Sequence, residues 1–304
     1  MTPEVTGSIP VSRPRSARAP IAQLDRASAF EAEGRGFESL LARLIPYFES
    51  PVLNLPLGQR IDLFGVLSAS GVGLGAWLAA REAKKYWPGN EEPLRGVVTW
   101  TVMFGLYGGH LMHLFGYHPE LLTWKDPTLI LRFWEGLSSM GGVLGALLGI
   151  FVYFRRIKEP VSPYLDALAL GAAPGWAVAR IGCFLVHDHP GVLTTSPFAV
   201  NFPVLEYGGP RYDLGLVDAV ALALISVLLH VIKLYRPRQG RIMGVLAVVY
   251  SAQRFFTDFY RASDLDFVDR RLAGLTPAQY VTAGLFFVGV WLLVRSAPEV
   301  KKVG

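Results

Sequence analysis

Arg180-Ile-Gly-Cys-Phe-Leu-Val-His-Asp-His-Pro-Gly191 closes an apolar run that begins near Leu165. The run approaches the ~20 apolar residues that cross a bilayer as one helix. On that helix Arg180, Cys183 and His187 stand at i, i+3 and i+7 and share a face. Arg180 lies about two turns inside the apolar stretch. A charge at that depth is costly and is by default a mark of function. The structural alternative is an arginine that snorkels to the interface or pairs with a carboxylate.

The rest of the chain repeats this character. Of 304 residues, 52% are hydrophobic and 17% charged, so a multi-pass membrane protein is expected. Seven spans are predicted, at about 62–81, 96–116, 132–154, 165–187, 214–234, 241–260 and 276–295, within an all-α integral membrane fold. Basic residues fall in alternate connections: Arg81, Lys84, Lys85 and Arg95; Arg155, Arg156 and Lys158; Lys233, Arg236, Arg238 and Arg241; and Arg295, Lys301 and Lys302. Cytoplasmic loops carry this excess, which puts the N-terminus outside and the C-terminus inside. The same rule accounts for the net charge of +5 without a nucleic-acid partner. One cysteine, Cys183, rules out an intrachain disulfide. The connection at about 188–213 holds four prolines and little helical pattern, and reads as a small periplasmic loop region.

Residues 1–45 differ from the rest, with six arginines, several prolines and no spanning run. They read as a disordered tail. A sharper expectation comes from Ala22-Gln-Leu-Asp-Arg-Ala-Ser28 and Gly34-Arg-Gly-Phe-Glu-Ser-Leu40, which resemble the conceptual translation of a bacterial tRNA gene. A start codon set too far upstream is the consequence. Residues 46–304 are then the membrane domain.

Titratable residues within the spans gather toward one side. In the predicted orientation the outer ends hold His110, His113, Glu135, Arg180, His187, Asp218, Tyr250, Arg254 and Asp258. Arg254 and Asp258 are four apart and Tyr250 extends their face. Together they imply a polar cavity open to the outer side. His110 and His113 could be read as metal ligands, but a zinc site needs three or four ligands in recognisable spacing, and lining is the plainer reading. Cys183 could be read as a nucleophile or as small filler. Gly105, Gly109, Gly141, Gly145 and Gly149 give spacings that allow close helix approach in lipid. No nucleotide loop and no serine-hydrolase elbow occurs.

Over roughly residues 60–296 the chain resembles the prolipoprotein diacylglyceryl transferases of bacterial inner membranes. The family signature G-R-x-G-N-F-x-N-x-E-x-x-G is matched by Arg180, Gly182, Phe184 and Gly191 at the same spacing, with Asp188 at the glutamate position. Cys183 and Val186 replace its two asparagines, and Ala179 its first glycine. The stretch Gly244 to Arg261 is similar to the family's G-L…Y…RF..EF.R segment through Tyr250, Arg254 and Arg261, with Asp258 for glutamate. Trp134 to Gly142 resembles W-D/E-G-G-M-S-F-H-G-G, one residue short and with Met140 at the histidine position. Gly108-Gly109-His110-Leu-Met-His113 resembles G-G-R-I-G-Y, and Thr276-Pro-Ala-Gln279 the S-x-G-Q start of the last span.

The resemblance implies transfer of diacylglyceryl from phosphatidylglycerol to the lipobox cysteine thiol in a prolipoprotein signal peptide, releasing glycerol 1-phosphate. It implies no metal and no organic cofactor. Arg180 and Arg254 suit the phosphate, since guanidinium is permanently charged and grips oxygens in pairs. The thiol needs a base, and with Met140 in place of histidine the expectation is His187, then His113 or His110. Tyr250, Asp258, Glu135, His110, His113, Asp188 and Arg261 complete the expected lipid-binding set. Two other readings stay open: a non-catalytic paralogue that binds phospholipid or lipoprotein, and a small-solute transporter.

Overall fold

The computed structural model describes residues 45–50, 52–54, 60–84, 92–122, 126–133, 136–235, 237–265 and 271–295. Glu135, expected at the site, and residues 1–44 lie outside the described residues. Seven long helices run through the described chain: α1 Leu63–Ala83, α2 Glu92–Met112, α3 Ser139–Ile157, α4 Ser162–Val186, α5 Leu214–Leu234, α6 Arg241–Thr257 and α7 Pro277–Val294. Five of them, α1, α3, α4, α5 and α7, are long and apolar enough to cross a membrane by length and composition. Their outward faces are apolar, as is that of α2: Trp77, Met103, Leu224 and Phe287 are each more than half exposed. In water that surface would be a liability, whereas lipid accepts it.

Local chemistry sets the helix ends. Ser138 caps α3 by accepting from the Gly141 N–H, so the third helix begins at 139 rather than at the expected 132. Residues 127–131 before it form a 3₁₀ turn. Asp213 caps α5 through the Leu216 N–H, and Thr276 with Gln279 forms a capping box on α7 behind Pro277. Asp166 of α4 accepts from the Gly240 and Met243 N–H groups at the start of α6. The helix α4 continues through Pro174 and stops at Val186.

Two helix pairs stand side by side and leave a cleft between them. The helix α1 packs antiparallel on α4, and α2 packs on α3. Glycines make both contacts possible. A Cβ on Gly149 would lie 2.6 Å from the Trp100 carbonyl oxygen, and one on Gly108 would lie 2.7 Å from that of Gly141. In the α1–α4 pair, Gly71 and Gly75 meet Gly175 and Gly171 with the same closeness. The backbones therefore touch directly, the packing mode open to helices in lipid.

The 188–213 connection, expected as a loop region with little helical pattern, is largely non-helical. It builds a small sheet from β4 (Pro190–Leu193), β5 (Val200–Asn201) and β6 (Arg211–Asp213), with a one-turn helix Val204–Tyr207 between them. The strand β1 (Ile45–Pro46) pairs parallel with β5 and completes the order β1-β5-β6-β4. A separate antiparallel hairpin joins β2 (Val52–Asn54) to β3 (Arg60–Asp62) just before α1. Arg211, buried, pins the cap. It forks onto Asp264 at 2.9 and 2.7 Å and donates to the Gly191 carbonyl at 3.0 Å.

Candidate functional site: an amphipathic cleft ending at Arg180

Between the α1–α4 pair and the α2–α3 pair lies a cleft of about 610 Å³. Its walls are small and apolar, with Gly71, Gly75, Gly105, Ala146, Ala172 and Gly175 among them. Along α4 its apolar part runs from Leu168 up to Arg180. At 1.5 Å per residue that is about 18 Å, a little more than half of a ~30 Å hydrocarbon core. Its other end is polar, lined by Arg180, Cys183, Asp188, His189 and Arg261. Oily along one leaflet's depth and charged at the end, the cleft has the profile of an anionic lipid.

Arg180 is 1% exposed and lies on the cleft lining. Its Nη1 is 3.6 Å from Cys183 Sγ and 3.4 Å from His189 Nε2. Its Nε is 3.5 Å from Asp218 Oδ2, and the Tyr250 hydroxyl lies alongside. Neither Nε nor Nη2 makes a well-formed hydrogen bond among the described residues. A buried guanidinium with spare donors is prepared to accept an anion.

Behind Arg180 the charges alternate. Asp218 accepts from Arg254 Nη1 at 2.9 Å and from the Gln253 amide at 3.1 Å. Arg254 Nη2 meets Asp258 Oδ1 at 2.9 Å, and Asp258 also accepts from the Thr276 hydroxyl. Arg261 stands 3.7 Å from Asp258 and reaches the cleft. Asp218 and Asp258 are fully buried. Buried ions of this kind are tolerated only when paired and hydrogen-bonded.

The expected site residues divide accordingly. Arg180, His113, Asp188 and Arg261 line the cleft, whereas Arg254, Asp258, Tyr250 and His110 do not. Arg254 is held by two carboxylates and sits behind Arg180 rather than beside it. Tyr250 packs on Trp176, ring centroids 4.4 Å apart. His110 bridges two backbone carbonyls, Gly136 at 3.2 Å and Leu129 at 2.9 Å, tying the segment before α3 to α2. Gly136 there has a φ of +89°, and a Cβ on it would strike the His113 ring.

His187 is turned away from the cleft. The shared face at i+7 requires the helix to continue, but α4 ends at Val186 and His187 takes a left-handed conformation, φ 51°. Its ring is packed among Tyr47, Phe48, Phe184 and Phe202, and its Nδ1 is 2.7 Å from Asp213 Oδ2. Burial raises the Asp213 carboxyl above its ordinary value despite that hydrogen bond. His189, which helical spacing does not single out, lines the cleft instead. It lies beyond the helix, where no periodicity marks it. Its Nδ1 contacts Asp188. Burial alone would raise the Asp188 carboxyl, but the charge and hydrogen bond of His189, with Arg180 and Arg261 behind, hold it below the ordinary range.

Cys183, Asp188 and His189 present thiol, carboxylate and imidazole atoms within 4.8 Å of one another. Taken alone, that donor set suits a soft divalent metal. Arg180 Nη1 touches both the thiol and the imidazole, so a metal ion there would face a guanidinium at close range. The residues present do not fit a cation.

Membrane-length helices around a cleft that is apolar along most of its length and charged at one end define a protein of the multi-pass membrane class. The family model described as prolipoprotein diacylglyceryl transferase matches residues 52–295. Among similar proteins, the phosphatidylglycerol--prolipoprotein diacylglyceryl transferase of Nitratidesulfovibrio vulgaris is 30% identical over 240 residues, covering 77% of this chain and 88% of its own. Those of Agrobacterium fabrum and Azotobacter vinelandii, of the same name, are 25% and 28% identical, covering 85% and 82% of this chain and 96% of each of theirs. The chain belongs to the prolipoprotein diacylglyceryl transferase family.

Proposed function

We propose that this chain transfers the diacylglyceryl group of phosphatidylglycerol to the lipobox cysteine thiol in the signal peptide of a prolipoprotein, releasing glycerol 1-phosphate. The amphipathic cleft that ends at Arg180 is the observation that carries this reading. The phosphate lies against Arg180, with Arg261 next to it, and the acyl chains run along the glycine and alanine walls down one leaflet. His113 and Asp188 line the headgroup end. Arg254, Asp218, Asp258 and Tyr250 hold Arg180 in place from behind. His187, in its aromatic surround, serves the cap.

The reaction is a displacement at carbon. The thiol sulfur bonds to the terminal glycerol carbon of the diacylglyceryl group, and the carbon–oxygen bond to phosphate breaks. The electron pair leaves with glycerol phosphate, and the thiol proton goes to a base. Charge develops on the departing phosphate, where Arg180 is pre-organised to receive it. Neither the thiol nor the phosphate needs a metal or an organic cofactor for this step.

In this reading residues 46–304 form one membrane domain. All seven helices cross the bacterial inner membrane, with the N-terminus outside and the C-terminus in the cytoplasm. Arg81 in the last turn of α1 with Lys84 after it, Arg155 and Arg156 in the last turn of α3 with Lys158 after it, and Lys233 in the last turn of α5 with Arg238 after it then face the cytoplasm. Arg180, the cap and the polar end of the cleft face the periplasm.

Expression in a bacterium depleted of its own transferase tests the function. Restored growth, with diacylglyceryl-modified lipoproteins, is expected. Accumulation of unmodified prolipoprotein, with this chain folded in the membrane, would leave the non-catalytic paralogue as the better account.

A further inference from the structure

We propose that His189, oriented by Asp188, is the residue that takes the proton from the acceptor thiol; this rests on the transferase reading above. Arginine only donates hydrogen bonds, so the imidazole nitrogen that faces Arg180 Nη1 at 3.4 Å must present its lone pair. That nitrogen is Nε2, and the ring proton therefore sits on Nδ1, donated to the Asp188 carboxylate. The partners on both sides thus fix the tautomer. A carboxylate that orients the ring, with the acceptor nitrogen on its far side at the polar end of the cleft, is the arrangement of a general base.

Position selects the same residue. His189 lines the polar end of the cleft, its side chain 15% exposed, beside the arginine that receives the phosphate. The groups that face it are Arg180 and Cys183 from α4, Asp188 from its own segment and Asp218 from α5, with Arg261 nearby against Asp188. Of the other histidines on the lining, His113 packs at a tilt on His118, ring centroids 4.6 Å apart, and His118 pairs with Glu120, in a side-chain pair exposed to 47% and 63%. Met140, at the position where the family signature carries histidine, is buried in the apolar core and can take no proton.

The contact with Arg180 also sets an order of events. At 3.4 Å the Nη1–Nε2 hydrogen bond is long and weak. A donor phosphate bound to Arg180 competes for Nη1 and frees the lone pair. The base is thereby released when the donor is in place. The thiol proton then passes to Nε2 as sulfur bonds to carbon. The imidazolium returns the proton to water at the periplasmic side after glycerol phosphate has left.

The test uses the full-length protein reconstituted with phosphatidylglycerol and a lipobox peptide, with initial rates followed from pH 5 to 9. His189→Gln is expected to lower kcat by on the order of 10²–10⁴ while KM for phosphatidylglycerol changes little. It is also expected to abolish the acidic limb of the rate profile, where protonation removes the lone pair. In His189→Gly, added imidazole restores part of the rate, which a merely structural role would not allow. Asp188→Asn slows the reaction by a smaller factor and keeps the limb. A His189→Gln enzyme with a near-normal kcat and an intact acidic limb, or a His189→Gly enzyme indifferent to imidazole, would overturn the assignment. Wild-type turnover in the same experiment separates that outcome from failure of the transferase reading, which predicts peptide adduct before any histidine is changed.

Discussion

Arg180→Ala is expected to remove diacylglyceryl transfer while the protein still folds. Loss of one pre-organised donor to a developing negative charge costs a factor on the order of 10²–10³ in kcat. Arg180 offers more than one: Nη2 makes no hydrogen bond among the described residues, and Nε has only the 3.5 Å ion pair with Asp218. The expected loss is therefore at or beyond the upper end of that range. The fold survives because Asp218 keeps Arg254 at 2.9 Å and the Gln253 amide at 3.1 Å when Arg180 is gone. Arg180→Lys restores the charge but not the planar fork, so it recovers the melting temperature and only part of the rate. The measurements are kcat at saturating phosphatidylglycerol and the thermal transition in detergent. Turnover of Arg180→Ala within a few-fold of wild type would contradict the placement of the phosphate.

Arg254→Ala fails differently. Arg254 joins two carboxylates that are both fully buried, Asp218 and Asp258. Without it, Asp218 keeps only Arg180 at 3.5 Å as an ionic partner among the described residues, and Asp258 only Arg261 at 3.7 Å. Leaving a buried charge uncompensated costs about 3–5 kcal/mol, a large part of a typical folding stability. The expected result is a sharp fall in melting temperature and folded yield, with loss of activity following from loss of structure. Arg254→Lys reaches one carboxylate at a time and falls between. A fully stable but inactive Arg254→Ala protein would show instead that Arg254 acts on substrate directly. The two arginines therefore separate by readout: kcat for Arg180, stability for Arg254.

Much of the architecture is legible in the sequence because it rests on length, hydropathy and spacing. The five spanning-type helices follow from apolar runs near the bilayer's length, and Arg180 stands out because charge inside such a run is expensive. The stripe Gly141, Gly145 and Gly149 can be read from its spacing and does face α2. The contact of Gly71 and Gly75 with Gly171 and Gly175 uses the same four-residue spacing, but neither helix alone says which partner it meets. Helical periodicity misleads where the helix stops. Counting puts His187 on the face of Arg180 only if the helix continues, and it ends one residue earlier. The left-handed turn at a histidine carries no sequence signal as strong as a glycine. His189, two residues on, owes its place to that turn and to the strand β4 that comes next. Nothing in a local pattern reports it. The network of Asp218 with both arginines is visible in the sequence only as a gathering of charged residues on one side, since pairing across α4, α5 and α6 depends on tertiary packing.

The most direct measurement is transfer by the purified protein in vesicles of phosphatidylglycerol, presented with a lipobox peptide. The expected result is a peptide mass increased by one diacylglyceryl group, with an equal amount of glycerol 1-phosphate released. Neither product is expected when the peptide's cysteine is replaced by serine or when Arg180 is alanine. Absence of both products from folded wild-type protein, with a related transferase active in the same vesicles, would contradict the transferase function.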